Sequence, residues 1–223
     1  MFGDKLWVVG TAIASLFIST GCSADDGAGD RSNLDFATSN ETIGSNPDWV
    51  EQRLGVPKIK AANRLVFEIN GCEITYWVED SSIITMIVDV NETCHPNIQG
   101  SKITHETTFG SLDQPNNGSG DYIAWCLTYC GNAADPDIKL YYPGYRANGF
   151  ISISYYTNWA QSDDAITMWE RSVRRREGLN EFEYPTDYEV FRCVSNPPAE
   201  ISRLLSEMTV TRVWVSIDNE DPC

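Results

Sequence analysis

Histidine is nearly missing from this chain, and that absence constrains its chemistry first. Only His95 and His105 occur among 223 residues, one beside Cys94 and Pro96 in a turn sequence, the other in ITHETT. A Ser-His or Cys-His nucleophile needs one of them beside an activated partner, and nothing around either supplies one. The motif G-x-S-x-G, a Walker loop, H-E-x-x-H and an EF-hand loop are also lacking, so no local pattern points to hydrolase, nucleotide, zinc-protease or calcium chemistry. Positive charge is scarce: 16 Lys and Arg stand against 32 Asp and Glu, a formal charge of −16. Such a chain repels phosphate backbones, which excludes nucleic acid as a partner held by electrostatics. Long apolar runs are lacking too. The longest, LWVVGTAIASLFI at residues 6–18, has 13 residues, too few to span a bilayer.

What is there begins with that run. It follows Lys5, has the length of a signal-peptide core, and ends in Ser19-Thr20-Gly21-Cys22. This ending resembles a bacterial lipobox, in which the cysteine becomes the lipidated N-terminus, so Cys22 is the expected lipidation site and residues 1–21 the lipoprotein signal peptide. A secretory cut after Ala24 is the rival, and both export the chain. Ser23 after the lipidated cysteine resembles the outer-membrane sorting pattern, which places the chain on the outer membrane facing the periplasm, with the lipid as its membrane contact. Residues 22–46, rich in Gly, Ser, Asn and Asp, read as a flexible tether. At ~5–6 Å × √n it would hold a domain roughly 25–30 Å from its lipid.

Six further cysteines remain: Cys72, Cys94, Cys126, Cys130, Cys193 and Cys223. An even count in an exported chain reads as disulfides. Cys126 and Cys130 are separated by three residues, one too many for the thioredoxin pattern, and no second pair or nearby His completes a zinc site. No metal or cofactor is expected. Of 15 possible connectivities, Cys72–Cys94 is favoured, because Cys72 opens one strand and Cys94 follows the next in an antiparallel hairpin. Cys126 and Cys130 are then left to Cys193 and Cys223 in either order.

Between residues 47 and 94 the signals are dense. Asn46 and Pro47 start a helix that Gly55 and Pro57 end. Strands follow at 64–69, 72–78 and 83–90, the first two joined by Asn70-Gly71, a strong hairpin signal. In CEITYWV, Ile74, Tyr76 and Val78 alternate with Glu73, Thr75 and Trp77. The second half reads as a helix over residues 121–130, strands at 138–142 and 150–156, a helix over 162–178 with Ile166, Trp169 and Val173 on one face, a helix opened by Pro197-Pro198, and a last strand at 210–217. The expected class is α+β: antiparallel sheet with short helices on one face, stapled by disulfides, in two units at 47–107 and 108–223.

The helix ending Leu54-Gly55-Val56-Pro57, followed by three antiparallel strands with an aromatic second strand, resembles the BamE-like (SmpA/OmlA) lipoprotein module. A tandem version of that unit occurs in the β-lactamase inhibitor protein family, and Thr108-Phe109-Gly110-Ser111 resembles the entry to a second copy. The first unit departs from the family in opening on Asn-Pro-Asp, and Pro115 breaks a helix begun at Ser111. The resemblance implies a scaffold that binds an envelope protein partner without catalysis.

Two side-chain groups compete as sites. Arg171, Arg174, Arg175 and Arg176, flanked by Trp169 and Tyr184, form a candidate partner patch, since interfaces favour Trp, Tyr and Arg. Helix-end arginines also complement the dipole, which accounts for some of them without a partner. The acidic residues Asp163, Asp164, Glu181 and Glu183 near Tyr155, Tyr156 and Trp159 would serve an exported carboxylate-based hydrolase, the alternative reading. Helix capping explains the aspartates equally, as exposed turns explain Asp80, Asp89 and Glu92 without calcium. An inhibitor of another periplasmic enzyme is the third reading.

Overall fold

The structure is a computed structural model that describes residues 32–112, 120–127, 136–144, 151–180, 191 and 193–217. The signal peptide, Cys22, Cys130, Tyr184, Glu181, Glu183 and Cys223 lie outside the described residues. The chain is α+β, built on one nine-stranded antiparallel sheet with short helices.

The described chain opens with helix α1 (Asn33–Ala37) and a 3-10 turn over Asn40–Thr42, followed by α2 (Pro47–Leu54). The part of the expected tether from residue 32 onward is therefore folded, a correction to the compositional reading. Its reason is long-range. Phe36, Ala37, Thr38, Thr42 and Ile43 are buried, Phe36 meets Trp49 edge-on at 5.2 Å, and the Tyr76 hydroxyl donates to the Ala37 carbonyl at 2.6 Å. A polar segment with one good aromatic is ordered by a partner 39 residues away, which no local window detects. The start of α2 follows its signals: the Asn46 side chain accepts from the Asp48 N–H at 2.8 Å, Pro47 occupies the first turn, and Gly55 ends the helix at φ +90°.

Strands β1 (Ile59–Ala61), β2 (Arg64–Ile69), β3 (Cys72–Glu79) and β4 (Ser82–Asp89) then run as a meander. Asn70 and Gly71 both have positive φ, as do Asp80 and Ser81, so both hairpins use the turn that matches strand twist. Gly71 has a second constraint: a Cβ there would lie 2.9 Å from Thr93 Oγ1. Thr93 is held in place just before Cys94, which is bonded to Cys72 as the spacing suggested. Two short strands, β5 (Asn97–Ile98) and β6 (Ser101–Lys102), form a separate hairpin before α3 (Phe109–Leu112).

The second half repeats the order of helix and meander. α3 is followed by β7 (Asp121–Trp125), β8 (Asp137–Tyr142) and β9 (Ser152–Tyr156). The helix expected over 121–130 is a strand in its first half, another correction. Ile123 and Leu127 fit helical spacing, but Tyr122 and Ala124 also fit strand alternation. Pairing with β8 on one side and β10 (Cys193–Ser195) on the other decides the matter. Next come α4 (Trp159–Arg176), which starts three residues before the expected Ser162, and α5 (Ala199–Ser206). The last strand is β11 (Arg212–Ser216).

The sheet order is β1-β2-β3-β4-β11-β9-β8-β7-β10. β11, from the end of the chain, lies between the two meanders and pairs with both β4 and β9. The expected boundary at 107/108 thus separates no two cores, and the described residues form one compact unit. One face of the sheet, with Phe67, Ile74, Tyr76, Met86, Val88, Val213, Val215, Tyr155 and Leu140, joins the inward residues of the helices in a single core. Close contact fixes the helices there. A Cβ on Gly110 would lie 2.9 Å from the Ser206 carbonyl, so α3 and the end of α5 meet backbone to backbone.

Candidate functional site

The other face of the sheet is where the described surface concentrates unusual side chains. Strand alternation sends Trp77, Thr85, Ile87, Trp214, Ser216 and Tyr156 outward, away from the core set by Tyr76, Met86, Val213 and Tyr155. Trp77 and Trp214 remain 37% and 38% exposed, while their chain neighbours Tyr76, Val213 and Val215 are fully buried. Registry places Trp214 opposite Ile87 on one side and Ser154 on the other. Its ring lies 5.2 Å from that of Tyr156. Trp77 pairs with Arg64 across β2 and with Thr85 across β4.

A row of small hydroxyls continues from Trp77 across β4, β11 and β9, beside Trp214. Thr85 and Ser216 are 3.1 Å apart, Ser216 Oγ donates to the Ile84 carbonyl, and Ser152 Oγ donates to the Ser216 carbonyl, each at 3.2 Å. These bonds tie β4, β11 and β9 together on this face beside Trp214. Charged groups are interleaved with the aromatics: Arg64 stands opposite Trp77 and Lys139 opposite Tyr156. Lys58 bridges Glu68 and Glu73 at 3.0 and 3.3 Å, and Arg212 Nε meets Asp89 Oδ1 at 2.6 Å. Exposed aromatics set among hydroxyls and paired charges are a mixture that protein interfaces also show.

At one end, the face opens into a cleft of about 380 Å³ lined by Asp137, Tyr156, Asn158, Thr211 and Arg212, among others. Loss of water around Asp137 pushes its carboxyl above the ordinary range, against the pull of Lys139 and Arg212. The Tyr156 hydroxyl is raised further still, chiefly by burial and then by the Asp137 charge. Among the described lining residues, Asp137 is the one carboxyl of the cleft. A glycosidase-type site needs two, and Asp89 on the neighbouring strand is held by Arg212. Among the described residues no three of His, Cys, Asp and Glu converge on a metal-sized point.

The sequence-based candidates fall elsewhere. Trp169 is 1% exposed and sits in the core with Ile166 and Val173, so it contributes nothing to a surface patch. Its helical spacing with those two residues already carried that information. Arg174 is also buried, with its Nε on Glu170 at 2.8 Å and its guanidinium 5.4 Å from the Phe191 ring centroid. Arg171, Arg175 and Arg176 are exposed. Asp163 and Asp164 are exposed on α4. His95 and His105 stack with ring centroids 6.1 Å apart, and His105 lies 4.0 Å from Glu106. Cys126 and Cys193 are each disulfide-bonded, in accord with the staple reading of those cysteines.

Sequence reasoning placed Trp77 in the polar phase of its strand but did not single out Trp77 or Trp214, two of the four tryptophans exposed among the described residues. In CEITYWV and TRVWVSI each tryptophan falls in the polar phase of an alternating strand, beside Thr75 or Arg212. A large aromatic in that phase is an exposed aromatic. Comparison with protein-family models, with curated proteins and with solved structures found no match.

Proposed function

We propose that this chain is an exported, lipid-anchored module of the bacterial outer membrane that binds an envelope protein partner on the open face of its sheet, without catalysis. The observation that carries the reading is the pair Trp77 and Trp214, held about a third exposed on a rigid sheet with their strand neighbours locked in the core. Hot spots are rich in Trp, Tyr and Arg, and rigid strands lower the ordering cost of presenting them. The resemblance to BamE-like modules points the same way, as does the repeated order of helix and meander on which that resemblance rests. Export and anchoring rest on the sequence at residues 6–22. With a lipid on Cys22, about ten residues separate it from Ser32, a reach of ~16–19 Å rather than the longer tether expected from composition.

The test places a photo-crosslinking residue at Trp77 or Trp214 in the full-length chain, in intact cells, with Lys102 as the control position. A discrete protein adduct from the sheet face and none from the control supports the module. Equal labelling from all three positions removes the sheet face as the binding surface. An adduct with an enzyme whose activity falls on binding would select the inhibitor reading within the same class. The exported-hydrolase reading draws on the raised Asp137 carboxyl beside Tyr156 and Arg212. It requires a turnover that Asp137→Asn abolishes. The anchor is tested separately: intact mass from membranes should start at Cys22 with diacylglycerol and a fatty acid attached.

A further inference from the structure

The end of α4 holds three arginines around one hollow, and the backbone there makes their capping role unnecessary. The Leu179 N–H donates to the Arg174 carbonyl at 2.8 Å and the Gly178 N–H to the Arg175 carbonyl at 3.3 Å, with Gly178 at φ +69°. This is the Schellman ending, in which the last carbonyls of the helix are satisfied by the chain itself. Two of the four guanidinium groups are also accounted for. Arg174 bonds Glu170, and Arg176 meets Glu177 at 2.9 Å. Arg171 and Arg175 remain, exposed, one helical turn apart on the same side, with no side-chain hydrogen bond or ion pair to a described residue.

They line a hollow of about 540 Å³ together with Arg174, Leu179 and Asn180. In a chain of net charge −16, acids are plentiful enough to pair every cation. Two guanidinium groups with no partner among the described residues face one concavity and make it locally positive, while Arg174 behind them is balanced by Glu170. The negative end of the helix dipole opposes an anion with only about half a charge, against two full positive charges in front. Residues one turn apart have Cβ atoms ~5–6 Å apart, so both guanidinium forks can reach one multi-oxygen anion. A single carboxylate is satisfied by one fork, whereas a phosphate group has oxygens for two.

We infer that the Arg171–Arg174–Arg175 hollow is a binding site for a phosphate group, carried either by a soluble phosphate compound or by an anionic lipid headgroup. The site lies on a helix of the core side, away from the open face, so it goes beyond the partner-binding reading and stands without it.

Calorimetry of the purified folded chain with pyrophosphate at low salt, and flotation with vesicles of phosphatidylglycerol against phosphatidylcholine, test it in parallel. The double variant Arg171→Ala/Arg175→Ala should weaken the response by about tenfold or more. The double lysine variant should fall between the two, because charge survives and the fork does not. Arg203→Ala, at an exposed arginine already paired with Glu207 at 3.2 Å, should leave binding unchanged. Circular dichroism checks that all variants fold. Pyrophosphate binding without flotation assigns the soluble source, and flotation on phosphatidylglycerol alone assigns the headgroup. Absence of both responses, or an equal loss in Arg203→Ala, overturns the site.

Discussion

Tyr76 and Trp77 are consecutive in β3, yet they occupy different environments and do different work. Tyr76 is fully buried and ties the N-terminal segment to the sheet through Ala37, while Trp77 stands more than a third exposed on the opposite face. The same contrast recurs in β11 between Val213 or Val215 and Trp214. One face is therefore committed to the core, and the other carries the aromatics that the proposed partner would meet. This difference can be broken by experiment. Ile74→Ala, at a fully buried position of β3, should cost about 2–5 kcal/mol in urea unfolding. Trp214→Ala should cost less than the Ile74→Ala loss, because 38% of the residue stays in water in the folded state and its removal leaves an open notch rather than a closed cavity. Equal losses would mean that the outer face is core by another route.

The Cys72–Cys94 bridge supports the stable face alone. It closes a separation of 22 residues behind β3 and β4. On loop-closure entropy, the double variant Cys72→Ala/Cys94→Ala should lose about 3 kcal/mol. Thermal melting of this variant beside the wild type, both without reductant, isolates this bridge, because reductant would also open the disulfides of Cys126 and Cys193. If the variant melts at the wild-type temperature, the bridge follows the fold without holding it.

Tyr76→Phe asks a narrower question. It removes one hydroxyl and leaves the Ala37 carbonyl without that donor, at a cost of about 1–2 kcal/mol. Its particular signature is local: amide exchange should quicken in residues 33–43 more than in β2 or β4. Uniform acceleration would show that α1 and its turn are part of the global unit and not a latch upon it.

How much of this was legible follows from where each contact partner lies. The hairpins of β2, β3 and β4 were readable because Asn70-Gly71 and the alternation of CEITYWV are local. The Cys72–Cys94 pairing followed from that hairpin. The folding of residues 32–46 was not readable, since its partner Tyr76 is distant in sequence. Nor was the insertion of β11 between β4 and β9, which depends on registry with strands more than a hundred and some sixty residues earlier. Residues 121–125 carried both periodicities at once, and the neighbouring strands chose between them. Trp169 shows a different failure. Its spacing with Ile166 and Val173 placed it inside, and the neighbouring arginines drew attention to it as surface. The rule that separates Trp169 from Trp77 and Trp214 is phase: an aromatic in step with apolar neighbours is core, and one in step with polar neighbours is exposed.

The smallest expected effect tests the edge between the two faces, at Asp137. Its carboxyl is held above the ordinary value of 3.8 mainly because neighbouring groups exclude water from it, with Lys139 and Arg212 offsetting part of that. A carboxyl whose value is raised on folding binds its proton more tightly in the folded state, so ionisation costs stability at any pH above the folded value. The cost shrinks as pH falls through the folded value and vanishes below 3.8. Asp137→Asn should therefore raise the melting temperature slightly at pH 7, less near the folded value, and not at all at pH 3. The Asp137 charge also pushes Tyr156 upward, so the variant should lower the pH at which Tyr156 ionises in ultraviolet absorbance. A gain that persists at pH 3 would assign the effect to packing in the cleft. With the predicted pH dependence, the cost belongs to the carboxyl's loss of water beside Tyr156.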